Sequence, residues 1–254
     1  MCTLKSILLN ALSILIALGL SHRAAGQLAP PDTALLAAAS GRLSQQYTSS
    51  RGRELGLYNG PEYRDYVQGN TQGSLFFAHD NAQPATLVYA GHTYANVLLR
   101  YDLLRDQLVL AAPGSSRQLR LVSEQVARFT LSGHSFIRLV VDSSASSPVR
   151  TGFYDLLVEG PVRLLAAHRK IRQQSSRAEG VQRELLARDD YFVYKGHRYY
   201  PVGKGADVVR LFPQYKVALR QYMQDNQLNF KPEGRELALA ALVRYLASLA
   251  GAGH

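Results

Sequence analysis

The 254-residue chain carries 29 Lys and Arg against 19 Asp and Glu, a formal charge of +10, with one cysteine and no tryptophan. A single thiol excludes an internal disulfide and any site built from several thiolates. A basic balance of this size favours anionic partners: acidic glycans, anionic lipid surfaces or nucleic acid.

Lys5 stands before an apolar stretch from Ser6 to Leu20, and Ala24 and Gly26 supply small residues just beyond it. This is the pattern of a cleaved export signal over residues 1–26, with cleavage before Gln27. The stretch is interrupted by Asn10 and is shorter than the ~20 apolar residues of a spanning helix, which argues against an anchor. Cys2 precedes the apolar core, so no thiol stands at the cleavage site for lipid attachment. Lys5 and Arg23 leave with the leader and no acid does, so the +10 of the whole chain becomes +8. The expected product is a soluble, cysteine-free, basic protein of the periplasm or the exterior. That destination disfavours nucleic acid as a partner.

Residues 27–73 read as an irregular arm. Leu35–Ala39 and Leu43–Tyr47 suggest a short helix, Ser49–Gly52 breaks it, and Tyr58-Asn59-Gly60-Pro61 is a turn signal. From residue 74 to 203 the chain becomes a series of short runs rich in Val, Leu, Tyr and Phe. Ala127, Phe129 and Leu131 alternate with Arg128, Thr130 and Ser132, and Val162, Leu164 and Ala166 share one face, the period of a half-buried strand. Gly follows such runs at Ala90-Gly91, Ser132-Gly133, Glu159-Gly160 and Lys195-Gly196, each a hairpin signal. Asp102–Asp106 and Pro113–Ser116 add two turns. The segment 173–188 is polar and reads as an excursion between strands, with one or two helical turns over Gln182–Arg188.

Past Pro201 the period changes. Over residues 204–250, Tyr215, Leu219, Tyr222 and Met223 mark one amphipathic helix, closed at Asp225-Asn226. Leu239, Leu242, Val243, Leu246 and Leu249 mark a second after Pro232. Such helices need an apolar surface to dock on. The fold class expected is α+β: an antiparallel β-meander, as an open curved sheet or a small barrel, followed by two C-terminal helices packed on it.

The repeated turn Gly91-His92-Thr93-Tyr94, Gly133-His134-Ser135-Phe136 and Gly196-His197-Arg198-Tyr199 is the most specific internal pattern. His92, His134 and His197 would make a three-histidine zinc site if they converged. The plainer reading gives each histidine the first position of a return strand. Asp102 with Asp106, and Asp189 with Asp190, are carboxylate pairs suited to acid–base chemistry, although all four sit at ordinary turn or strand-entry positions. His168-Arg169-Lys170-Ile171-Arg172 is the densest basic stretch and reads as a solvated strand end. No metalloprotease helix motif, nucleophile elbow, phosphate-binding loop or EF-hand loop is present, so no catalytic residue is assigned and no cofactor is expected. Fifteen tyrosines suit half-buried strands or an interface with glycan or protein.

Leu57-Tyr58-Asn59-Gly60, Val97–Asp102 with Asp106–Val109, Gly152–Leu157 and the stretch from Leu211 to Phe230 resemble segments of exported bacterial proteins for which no activity is known. The resemblance implies a diderm cell envelope as the setting and transfers no site residue. The function expected is a non-enzymatic binding or assembly module meeting an envelope protein or an anionic glycan or lipid surface. The alternatives are an exported hydrolase with a His/Asp site lacking a motif, or a barrel holding a small apolar ligand.

Overall fold

A computed structural model describes residues 56–67, 71–112, 114–142, 147–177 and 180–251. The leader 1–26 and most of the arm 27–73 lie outside the described residues. The chain divides at Arg51 into two units, and everything described belongs to the second, Gly52–His254.

Eleven strands are found among the described residues: β1 (Thr71–Gln72), β2 (Gln83–Tyr89), β3 (His92–Asp102), β4 (Gln107–Ala111), β5 (Gln118–Arg120), β6 (Val126–Leu131), β7 (His134–Leu139), β8 (Gly152–Val158), β9 (Arg163–Arg177), β10 (Gly180–Lys195) and β11 (Arg198–Val202). Three α-helices follow: α1 (Gly205–Leu211), α2 (Lys216–Asp225) and α3 (Arg235–Gly251). The class is α+β, and the sheet is open and mixed. Its order, β5-β4-β3-β2-β6-β7-β8-β9-β10-β1 with β11 also on β10, departs from a strict meander twice. A 3-10 turn at Ser123–Gln125 returns the chain from the β5 edge so that β6 pairs with β2. The arm supplies β1, which runs parallel to β10 through Thr71–Arg183 and Gln72–Glu184.

The hairpins sit where positive φ is tolerated. Ala90-Gly91 (φ 49° and 77°) and Ser132-Gly133 (φ 52° and 84°) have both central residues left-handed, which matches the twist of the strands they join. The arm is less irregular than its composition suggests: Leu57 and Tyr63 are buried, and Glu62 bridges Leu119. In β6 the alternation slips. Val88 faces Arg128 but Tyr89 faces Val126, so a bulge exposes Ala127 and turns Val126 inward.

The polar stretch 173–188 is neither an excursion nor helical. It completes β9 and β10, a hairpin of 15 and 16 residues paired from Arg163–Tyr194 to Arg177–Gly180. Both faces are exposed over residues 171–176, so the backbone ladder forms without any apolar period to reveal it. Asp189 and Asp190 therefore lie inside β10 rather than before it.

One face of the sheet carries two cores. An aromatic one packs Tyr101, Phe129, Phe136 and Phe153, with Phe129 and Phe136 stacked at 4.6 Å. The other takes Leu164, Ala166, Tyr191 and Val193 from β9 and β10 against Leu219 of α2 and Leu239, Leu242, Val243 and Leu246 of α3. Each fully buried leucine there contributes about 1.5–3 kcal/mol, far more than helix propensity, and this holds α3 on the sheet. Helix α1 is not foreshadowed by periodicity; it is short, and Asp207 accepts from the Gly203 and Lys204 amides at 2.9 and 3.1 Å to start it. A β-carbon at Gly205 would collide with Met223 Sδ and the Phe230 ring, so glycine here lets α1 pack closely against them. No helix among the described residues is long and apolar enough to cross a membrane.

Candidate metal centre

Where the two cores meet, four titratable side chains turn toward one point. Asp155 is the middle of the group. Its strand register places Phe136 of β7 opposite it on one side and Ala166 of β9 on the other. His134 and His168 each lie two residues along those strands, hence on the same face and diagonal to Asp155, within reach of a ring. The Ser132-Gly133 turn starts β7 at His134 and so sets the first of them. Asp189 is the direct cross-strand partner of His168, and Tyr191 that of Ala166. Glu236 enters from above, in the first turn of α3.

The contacts follow from that register. Asp155 Oδ2 lies 2.5 Å from His134 Nδ1 and 3.3 Å from His168 Nε2. Glu236 Oε2 lies 3.7 Å from His168 Nε2 and accepts from the Tyr191 hydroxyl at 3.4 Å. One ligand atom from each of His134, Asp155, His168 and Glu236 falls within 4.8 Å of all the others. His168 Nδ1 is 2.9 Å from Asp189 Oδ1, so its N–H is used there and Nε2 is left facing the centre. Phe77 closes the apolar side, with its ring 5.0 Å from His134 and 5.2 Å from His168.

Burial grades across the group. Asp155 is 1% exposed and His168 8%, whereas the His134 and Glu236 side chains are 35% and 28% exposed. Burial by itself lowers the affinity of His168 for a proton. The hydrogen bonds from Asp155 and Asp189 and the charges of Asp189 and Glu236 outweigh it, pushing the imidazole pKa up to about 9. A buried imidazole this strongly held by carboxylates marks a place that attracts a cation, whether a proton or a metal ion.

The donor set fits the metal. Zinc–nitrogen and zinc–oxygen bonds of about 2.0–2.2 Å in a tetrahedron require ligand atoms roughly 3.3 Å apart. Three of the edges, 2.5, 3.3 and 3.7 Å, bracket that spacing and all lie within 4.8 Å, so small side-chain shifts would bring the four donors onto one ion. Two neutral imidazoles and two carboxylates balance a divalent charge, and imidazole with carboxylate suits zinc and its first-row neighbours. Asp189 on His168 and Tyr191 on Glu236 are the outer partners that orient ligands in such sites.

Of the residues named from the sequence as metal or acid–base candidates, only His134 belongs to this group. His92 is exposed at the start of β3, opposite Tyr89, and Tyr89 pairs with Val126 at the beginning of β6. His134 pairs with Leu131 at the other end of β6, so their two hairpins open at opposite edges. His197 is exposed in the β10–β11 turn beside the Tyr194 hydroxyl at 3.4 Å, and Tyr194 pairs with Arg163, five residues along β9 from His168. The three histidines do not converge. Asp102 is fully buried, but Tyr63, Tyr66 and the amides of Leu104 and Arg105 occupy it completely. Asp106 accepts from the Tyr101 hydroxyl at 2.5 Å and the Phe153 amide at 3.2 Å, and burial pushes its pKa up.

Asp155, His168 and Glu236 escape a motif search because they come from three different elements, two consecutive strands and a distant helix, with no fixed spacing of a known motif. Two left a trace. His168 continues the Val162, Leu164, Ala166 face, and Asp155 interrupts the apolar run Gly152–Val158, so each is a polar residue in phase with a buried face. The reading of His168 as part of a solvated strand end is thereby corrected: only Ile171 and Arg172 of that stretch are exposed. No family model, curated protein or solved structure matches this chain.

Proposed function

We propose that this is an exported cell-envelope protein that holds one divalent transition-metal ion, zinc by its donor set, between the sheet and helix α3. The observation that carries it is the convergence of His134, Asp155, His168 and Glu236 within 4.8 Å of one another, with Asp189 fixing which nitrogen of His168 faces inward. Four protein donors form a closed shell, the habit of a structural or carrier site, whereas hydrolytic zinc keeps one position for water. The reading is therefore a binding module rather than a hydrolase. Three donors come from β7, β8 and β9 and the fourth from α3, so an ion would tie the helical cap to the sheet. A site without thiolate also suits an oxidising compartment, where free cysteines are a liability. Export itself rests on Lys5, the apolar run Ser6–Leu20 and the small residues at Ala24 and Gly26.

The test is a zinc titration of protein freed of metal by chelator. One equivalent should bind and raise the thermal midpoint; at a free concentration of 100 Kd the gain is about 2.7 kcal/mol. His168→Gln should abolish both. Binding that is absent, or equal in the wild type and the variant, overturns the assignment. Mass spectrometry of the native product should begin at Gln27.

A further inference from the structure

Beyond the metal centre, on the far side of Asp189, lies a cavity of about 870 Å³ reaching from the β3–β4 turn to the start of α3. Six cations line it: Arg105, Arg150, Arg169, Lys170, Arg188 and Arg235. They come from five separate parts of the chain, so tertiary folding, not a local basic run, gathers them. We infer that this cavity binds a small polyanion, with phosphate or carboxylate groups carried on a polar, sugar-sized body.

The wall carboxylates do not neutralise these cations. Asp106 is taken by Tyr101 and Phe153, Asp189 by His168, and Asp207 by two backbone amides and Arg210. Asp190 forms the ion pairs with the cationic set, loosely, at 3.8 Å from Arg169 and 3.7 Å from Arg188, and Arg169 also feels the charge of Asp106. Arg105 rests on the Tyr66 ring at 3.3 Å and Arg235 donates to the Phe230 carbonyl at 3.3 Å, which position both heads without cancelling their charge. The side chains of Arg150 and Lys170 make no hydrogen bond or ion pair among the described residues. Like charges brought into one concavity repel, and an anion converts that repulsion into binding. Five of the six are guanidiniums, whose planar fork grips carboxylate or phosphate with two parallel hydrogen bonds. The volume is that of a ligand site, and a lining this charged selects a polar ligand over an apolar one.

The test is calorimetric titration of the full chain with fructose 1,6-bisphosphate and, separately, with digalacturonate, at low salt. At least one should bind with one site per chain; whichever binds more tightly identifies phosphate or carboxylate as the preferred group. The charge reversal Arg150→Glu with Lys170→Glu should weaken that binding about tenfold or more, and Lys170→Gln should do so by less. Zinc uptake should stay unchanged in both variants, which separates this site from the metal centre and reports an intact fold. Failure of both probes at millimolar concentration, or binding untouched by the charge reversal, overturns the inference.

Discussion

Two buried carboxylates on one sheet meet opposite fates. Asp102, at the end of β3, is surrounded by neutral donors: Tyr63 and Tyr66 hydroxyls at 3.0 and 2.8 Å, and the amides of Leu104 and Arg105 at 2.9 and 3.0 Å. Asp155, in β8, meets two imidazoles and a further carboxylate from α3. Burial of a carboxyl group is tolerated in both places because each has polar partners. Among the described residues no buried side-chain nitrogen or oxygen lacks one. The difference is in what the partners can do. Phenol and amide donors fix a turn and leave nothing to exchange, whereas imidazoles exchange a proton for a metal ion. The first region is finished by folding; on the proposed reading the second is completed by an ion taken from solution.

Four measurements test that contrast. Asp102→Ala should be the most damaging change, because it strands four donors at once; a loss of about 3 kcal/mol or more is expected in chemical denaturation, the same with and without zinc. A zinc-dependent loss would mean the two regions are not separate. Asp189→Ala removes the partner that orients His168 while leaving all four donors, and zinc affinity should fall about 10- to 100-fold in competition with a chromophoric chelator. Unchanged affinity would deny Asp189 its orienting part. The third is pH dependence in metal-free protein. The pKa of His168 is raised in the fold from 6.5 to about 9, so its contribution is whole below pH 6.5 and disappears as pH rises through about 9. The thermal midpoint should decline across that window in the wild type and stay level in His168→Gln; parallel curves would show that His168 is not the titrating group. Smallest of all, Tyr66→Phe removes one of the four donors to Asp102, costing about 1 kcal/mol with zinc affinity unaltered.

Much of the architecture was legible because it is written in local rules. Gly91 and Gly133 announce left-handed turns wherever the chain later goes, and Leu239, Leu242, Val243 and Leu246 mark the buried stripe of α3 by spacing alone. The β9–β10 arm was not legible: a strand wet on both faces shows no alternation, and its ladder depends on a partner rather than on composition. The same limit applies to the candidate site. His134 could be picked out from its turn, yet the turn repeat also pointed to His92 and His197, which the sheet sends to other edges.

The amino-acid sequence on its own settles the α+β class, the turns at Gly91 and Gly133 and the apolar stripe of α3, since periodicity and turn chemistry act over a few residues. It also excludes a metal site built from several thiolates, because Cys2 is the lone cysteine. Only tertiary structure decided that Asp155, His168 and Glu236 would meet His134. Their meeting depends on strand register and on where α3 lands, and both are set by pairing and packing between residues distant in the chain.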